Sequence, residues 1–163
     1  VNAPVRAWVG LGGNVGDAAA TLRAALPALD ALPATRLLRA SRLYRTPAWG
    51  LTDQPDFVNA VAELETALSP RDLLDGLLAV ERAFGRERRE RWGPRTLDLD
   101  LLLHGDVALD EPGLHLPHPH LHERAFVLLP LAELAPGMPI PGHGRVADFL
   151  TAVDAAGCVP LSG

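Results

Sequence analysis

Residues 91–105 read RWGPRTLDLDLLLHG, in which Asp98 and Asp100 alternate with Leu97, Leu99, Leu101 and Leu103. Alternation of this kind is the period of a strand that buries one face. The leucines form that face. The two aspartates stand side by side on the other, their Cα atoms about 6.5 Å apart. Two carboxylates so placed repel each other unless a cation lies between them. Hard, oxygen-seeking Mg²⁺ suits such a pair, and two ions can share it. The plainer reading is two acids on a solvated strand face, and the D-x-D pattern alone leaves both readings open.

The segment just before the strand favours the cation. Arg82, Arg86, Arg88, Arg89, Arg91 and Arg95 are six of the chain's fifteen basic residues, all of which are arginine. Cations that bridge phosphate oxygens and guanidiniums that spread developing charge are the parts needed for phosphoryl transfer. The competing reading pairs these arginines with Glu81, Glu87 and Glu90 on a solvated helical extension. Absence of lysine removes Schiff-base chemistry, the Walker lysine and a Ser–Lys dyad. Anion binding therefore falls to arginine, backbone N–H groups or metal.

Working outward, residues 5–12 (VRAWVGLG) read as an apolar strand. GGNVGD follows as a tight turn, with Asp17 as N-cap of a helix that Pro27 should kink or break. GLGGNVGD fits neither the dinucleotide nor the P-loop pattern. A second strand is expected over residues 35–46, then a loop. In FVNAVAELET, Val58, Ala60, Ala62 and Leu64 face one way and Phe57, Asn59 and Val61 the other. Ser69 and Pro70 open a helix that Gly85 closes. A hairpin is predicted through DVALDEPG, then a helix broken by Pro130 and a last short helix within VADFLTAVDAA. His115, His118, His120 and His122 lack zinc-type spacing; one of them as a phosphate hydrogen-bond donor, with Arg124 nearby, is the better reading.

The order βαββαβ with appended elements predicts one α+β domain over residues 1–163. It is a ferredoxin-like sandwich: an antiparallel sheet with helices packed on one face, plus C-terminal additions. The 163 residues suffice for such a core. A net charge of −5 and only eight aromatics argue against a nucleic-acid partner. No run approaches a membrane span, and no signal-like apolar region opens the chain. With the single Cys158 unable to form an internal disulfide, a cytoplasmic monomer is the expectation.

RWGPRTLDLDLLLHG, YRTPAWGLTDQPDFVNAVAELET upstream and LPHPHLHERAFVLLPLAELAP downstream closely resemble the 6-hydroxymethyl-7,8-dihydropterin pyrophosphokinase family of folate biosynthesis. GGNVGD resembles that family's opening G-S-N-x-G-D turn, with Gly13 where Ser is usual. The resemblance implies a ferredoxin-like α+β fold. It also implies diphosphate transfer from ATP, the co-substrate, to the hydroxymethyl oxygen of 6-hydroxymethyl-7,8-dihydropterin, with AMP released.

By the same resemblance Asp98 and Asp100 hold two Mg²⁺ ions. Arg86 and Arg88 belong to a loop that closes on the triphosphate, and Arg95 contacts phosphates from the fixed side, Arg86 and Arg95 counting with the aspartates as catalytic. His118 and Arg124 grip the phosphates from another side, and Glu81 and Leu101 are nucleotide-contacting positions. Thr46, Pro47, Trp49 and Asn59 form the pterin slot, with the ring between Phe57 and Phe126 and Trp92 over it. Phe57 stands where many relatives have Tyr, Trp49 where Leu is frequent, and Leu78 where some have Gln.

Overall fold

The computed structural model describes residues 3–47, 55–85, 96–155 and 157–161. Strand β1 (Val5–Gly13) lies between β4 (Phe57–Thr66) and β5 (Asp98–His104), antiparallel to both. The pairing with β4 is unbroken from Val5↔Thr66 to Gly13↔Val58. On its far side β4 pairs with β2 (Thr35–Ala40) and β3 (Tyr44–Thr46), and β3 carries the short β8 (Val159–Pro160). Among the described strands β5 is thus an edge strand. A separate hairpin joins β6 (Leu109–Glu111) to β7 (Leu114–Leu116), as the turn residues between them predict.

The strand expected over residues 35–46 is two strands. Between Ala40↔Ala62 and Tyr44↔Asn59 it takes one residue more than β4 does. Ser41 bridges that gap. Its N–H donates to the Val61 carbonyl at 2.8 Å, and its hydroxyl accepts the Val61 N–H at 2.9 Å. A side-chain oxygen thus stands in for a ladder carbonyl, which hydrophobic alternation does not reveal.

Helix α1 (Ala18–Asp30) starts where Asp17 accepts the Ala20 N–H at 3.1 Å. It runs through Pro27 instead of breaking there. Proline in the last turn forfeits only one intrahelical bond. Helix α2 (Pro70–Ala83) starts where Ser69 accepts the Asp72 N–H, also at 3.1 Å, and ends before Gly85 at φ 80°. Both helices cover one face of the sheet. Leu22, Ala25 and Leu29 of α1 and Leu73, Leu77 and Val80 of α2 pack on Ala7, Val9, Leu11, Ala60, Ala62, Leu64, Leu99 and Leu101.

The two helices of the βαββαβ order share one face as expected, and the C-terminal additions take the other. The C-terminal elements α3 (Ala125–Leu134) and α4 (Val146–Leu150) build a second core on the opposite side. There Leu128, Leu131 and Val146 meet Trp8, Val61, Leu102 and Leu103. α3 also runs through its internal Pro130, and α4 ends at Leu150. Leu103 was expected on the face of Leu97, Leu99 and Leu101 but belongs to this second core. The cause is a bulge: Trp8 pairs with Leu103 and Val9 with Leu101, so Leu102 is an extra residue that reverses the alternation.

Candidate active site

Asp98 and Asp100 leave β5 on the face that α3 covers further along, opposite the Leu99–Leu101 face. Their partners across β1 are Gly12 and Gly10. On the next strand, Asn59 reaches over β1 so closely that a Cβ on Gly12 would lie 2.6 Å from its Oδ1. Only glycine fits under that amide. The Asn59 Nδ2 donates to Thr46 Oγ1 at 2.7 Å, and both side chains are buried. Asn14, also buried, donates to the Pro55 carbonyl at 3.0 Å, tying the turn after β1 to the approach to β4. Sequence reasoning read that turn only as tight geometry. Its Asn side chain was the signal for this link.

A cleft of about 550 Å³ opens beside Asp100. Its walls divide by chemistry. Leu74 and Leu78 of α2, Leu99 and Leu101 of β5 and Leu114 of β7 make an apolar side, and His118, Arg124 and Asp100 a polar one. Leu101, His118 and Arg124, expected to share one ligand, are therefore brought together. His118 sits where its own N–H donates to the Leu102 carbonyl at 2.9 Å. Its Nδ1 accepts the His120 N–H at 3.2 Å, which leaves the proton of the neutral ring on Nε2. Burial, with the nearby Arg124 charge and the histidines at 120 and 115, lowers its pKa from 6.5 to about 4. At neutral pH His118 is an uncharged donor next to the Arg124 cation, a pairing suited to phosphate oxygens.

The remaining positions fall on either side. Phe57 pairs in register with Thr46 at the start of β4 and is half-buried. Phe126, half-buried on α3, has the Arg124 guanidinium carbon 5.6 Å above its ring centroid, within cation–π range. Pro47 follows β3, exposed and packed against Gly157. Glu81 lies behind the cleft: its side chain is buried, and Oε2 accepts the Leu99 N–H at 2.7 Å. Trp49, Arg86, Arg88, Trp92 and Arg95 lie outside the described residues.

Asp98 and Asp100 offer two carboxylates of the hard-donor type that Mg²⁺ takes. Mg²⁺ characteristically fills its remaining positions with substrate phosphates and water. The residues therefore fit such an ion at a nucleotide site. Among the described residues no third carboxylate, histidine or cysteine completes an all-protein cage.

Comparison with known proteins shows the family and the fold. Residues 8–136 match the family described as 7,8-dihydro-6-hydroxymethylpterin-pyrophosphokinase (HPPK). The 2-amino-4-hydroxy-6-hydroxymethyldihydropteridine pyrophosphokinase of Pseudomonas aeruginosa is 49% identical over 158 residues, covering 97% of this chain and 98% of that one. The protein of the same name from Methylorubrum extorquens is 46% identical over 152 residues, covering 93% and 96%. Among solved structures, wild-type Plasmodium falciparum HPPK-DHPS with pteroate superposes with a TM-score of 0.71 at 14% identity. That match covers 93% of this chain and 43% of that one, so the chain spans under half of the larger protein, and the likeness speaks for the fold.

Proposed function

The chain belongs to the 7,8-dihydro-6-hydroxymethylpterin-pyrophosphokinase family, and from that premise we propose that its chemistry takes place where the Asp98–Asp100 pair meets the cleft of His118 and Arg124. The reaction is the family's pyrophosphoryl transfer in folate biosynthesis. The pterin's hydroxymethyl oxygen bonds to the β-phosphorus of ATP, the bond from that phosphorus to the α–β bridging oxygen breaks, AMP leaves, and the hydroxyl proton is released.

Each part of the site has a task in that exchange. Asp98 and Asp100 would hold two Mg²⁺ ions, whose contribution when bound is to neutralise phosphate charge and favour the alkoxide-like nucleophile. Neutral His118 donates through Nε2 to a phosphate oxygen, and Arg124 supplies the charge-assisted bonds beside it. The leucines of α2, β5 and β7 offer an apolar wall for the nucleobase, Leu101 among them. Asn59, held on Thr46, supplies fixed amide hydrogen bonds to the pterin edge, while Pro47 borders the slot. Phe57 and Phe126 offer faces to its ring. The sequence expectations for Arg86, Arg88 and Arg95 on the phosphates, and for Trp49 and Trp92 around the pterin, complete the proposal. We take the working unit as a cytoplasmic monomer; no helix among the described residues is long and apolar enough to cross a membrane.

The observation that carries this reading is one of register. Asp98 and Asp100 stand opposite the side-chain-free Gly12 and Gly10, and Asp100 lines a cleft that already gathers His118 and Arg124. Incubation with ATP, Mg²⁺ and the hydroxymethyl dihydropterin tests it: AMP and the pterin diphosphate are expected in equal amounts. ADP as the nucleotide product would make this an ordinary kinase and overturn the proposal.

A further inference from the structure

β5 borders the sheet with β1 as its strand neighbour in the main ladder. Residues along an antiparallel strand alternate between exchanging bonds with the neighbour and pointing their N–H and C=O outward. Leu99 is of the second kind, because its N–H reaches Glu81 at 2.7 Å. Asp98 and Asp100, paired in regular register with Gly12 and Gly10, are of the first. The backbone under the two aspartates is therefore held by β1, and the residue between them is held from the other side by α2.

The carboxylate doing this is an improbable choice for packing alone. Glu81 is 3% exposed and lies next to the α2 residues Leu73, Leu77 and Val80 that meet the sheet. Burying a carboxylate in a row of leucines costs free energy, and an acid in a helix's last turn opposes the helix dipole. Leu99 is itself buried, so without Glu81 its N–H would lack the water that ordinarily serves an edge strand.

We infer that Glu81 is a positioning residue for the aspartate pair: by clamping the Leu99 amide it fixes the backbone from which Asp98 and Asp100 present their carboxylates. This rests on the proposed role of those aspartates in holding the cations. It differs from the nucleotide contact that the family resemblance implies for Glu81. An amide oxygen at this position can accept the same Leu99 N–H.

The experiment compares Glu81→Gln with Glu81→Leu in the full chain. Three readings are taken: the Mg²⁺ concentration for half-maximal activity at saturating substrates, ATP-analogue affinity without divalent cation, and amide exchange at Leu99. Glu81→Gln, which keeps an acceptor oxygen for that N–H, should exchange at Leu99 at the native rate. Glu81→Leu should fold, exchange faster at Leu99 and need about tenfold more Mg²⁺, the scale of losing a group that orients a metal ligand, while cation-free nucleotide affinity stays put. Lower melting temperature alone, with Mg²⁺ requirement and Leu99 exchange unchanged, would make Glu81 a packing residue and overturn the inference. So would a Glu81→Gln variant that loses cation-free nucleotide affinity, since that marks direct contact. Asp100→Ala measured alongside separates the two proposals. An unaltered Mg²⁺ requirement there removes the metal reading, and Leu99 exchange in Glu81→Leu still decides whether Glu81 holds the strand.

Discussion

The two faces of the sheet carry different instructions in the same strands. Under α1 and α2, the positions of β1, β4 and β5 that pack on the helices are alanine, valine and leucine. Under α3 and α4 the face begins in the same manner with Trp8, Val61, Leu102 and Leu103. Toward the other end it changes to Gly10, Gly12, Asn59, Asp98 and Asp100. The first face is complete once helices cover it. Among the described residues helices cover only part of the second, and the rest is lined by glycines, one of them close under Asn59, and by side chains that carry oxygen. The proposed catalytic surface is what remains of a core position pattern when apolar side chains are withheld.

The difference can be broken most severely at the polar end. Asp98→Ala and Asp100→Ala should each lower kcat on the order of a thousandfold or more, with the circular dichroism spectrum retained. Near-native turnover in either would detach the chemistry from this face. The opposite face should answer in stability. Leu77→Ala, at a fully buried position of α2, should cost about 2–5 kcal/mol in denaturant unfolding while the folded fraction keeps its kcat. A specific loss of turnover would mean that the two faces are coupled more tightly than their separate cores suggest.

Gly12→Ala tests the seam. Its new methyl meets Asn59 Oδ1, so the amide must leave its bond to Thr46. Overpacking of this kind costs about 1–3 kcal/mol, and a raised KM for the pterin with little change in KM for ATP is expected. Equal changes in both would place Asn59 away from the pterin. The last effect is one of pH. Because His118 has its pKa lowered from 6.5 to about 4 by burial and by Arg124, the unfolded chain binds the extra proton first. Stability should therefore fall as pH drops from 6.5 toward 4 and be unaffected by this residue above that window. A His118→Gln variant should show a flatter unfolding profile across that window; an unchanged slope would mean that His118 titrates normally.

Legibility in the sequence followed the range of the interaction. Asp17 and Ser69 announced helix starts because a cap acts within three residues of itself. Alternation in β4 assigned its two faces for the same local reason. Leu103 was misplaced because a bulge is settled between two strands ninety-odd residues apart in the chain. The single expected strand over residues 35–46 became two because Ser41 bonds with Val61. At the site, Asp98 and Asp100 were visible as a pair and His118 with Arg124 as neighbours. The tie from Glu81 to Leu99 was not, since nothing in a helix's own sequence says which strand amide it will meet.

By itself the sequence determined the alternating acids, the helix caps, the lysine-free choice of cationic groups and, through long motifs, the family. Each of these is a property of residues close together along the chain. The tertiary structure alone decided that the C-terminal helices cover a second face, that Gly12 lies beneath Asn59, and that a buried carboxylate on α2 braces the strand between two aspartates. Those are contacts between distant segments, and packing settles them only when the sheet and both helical layers come together.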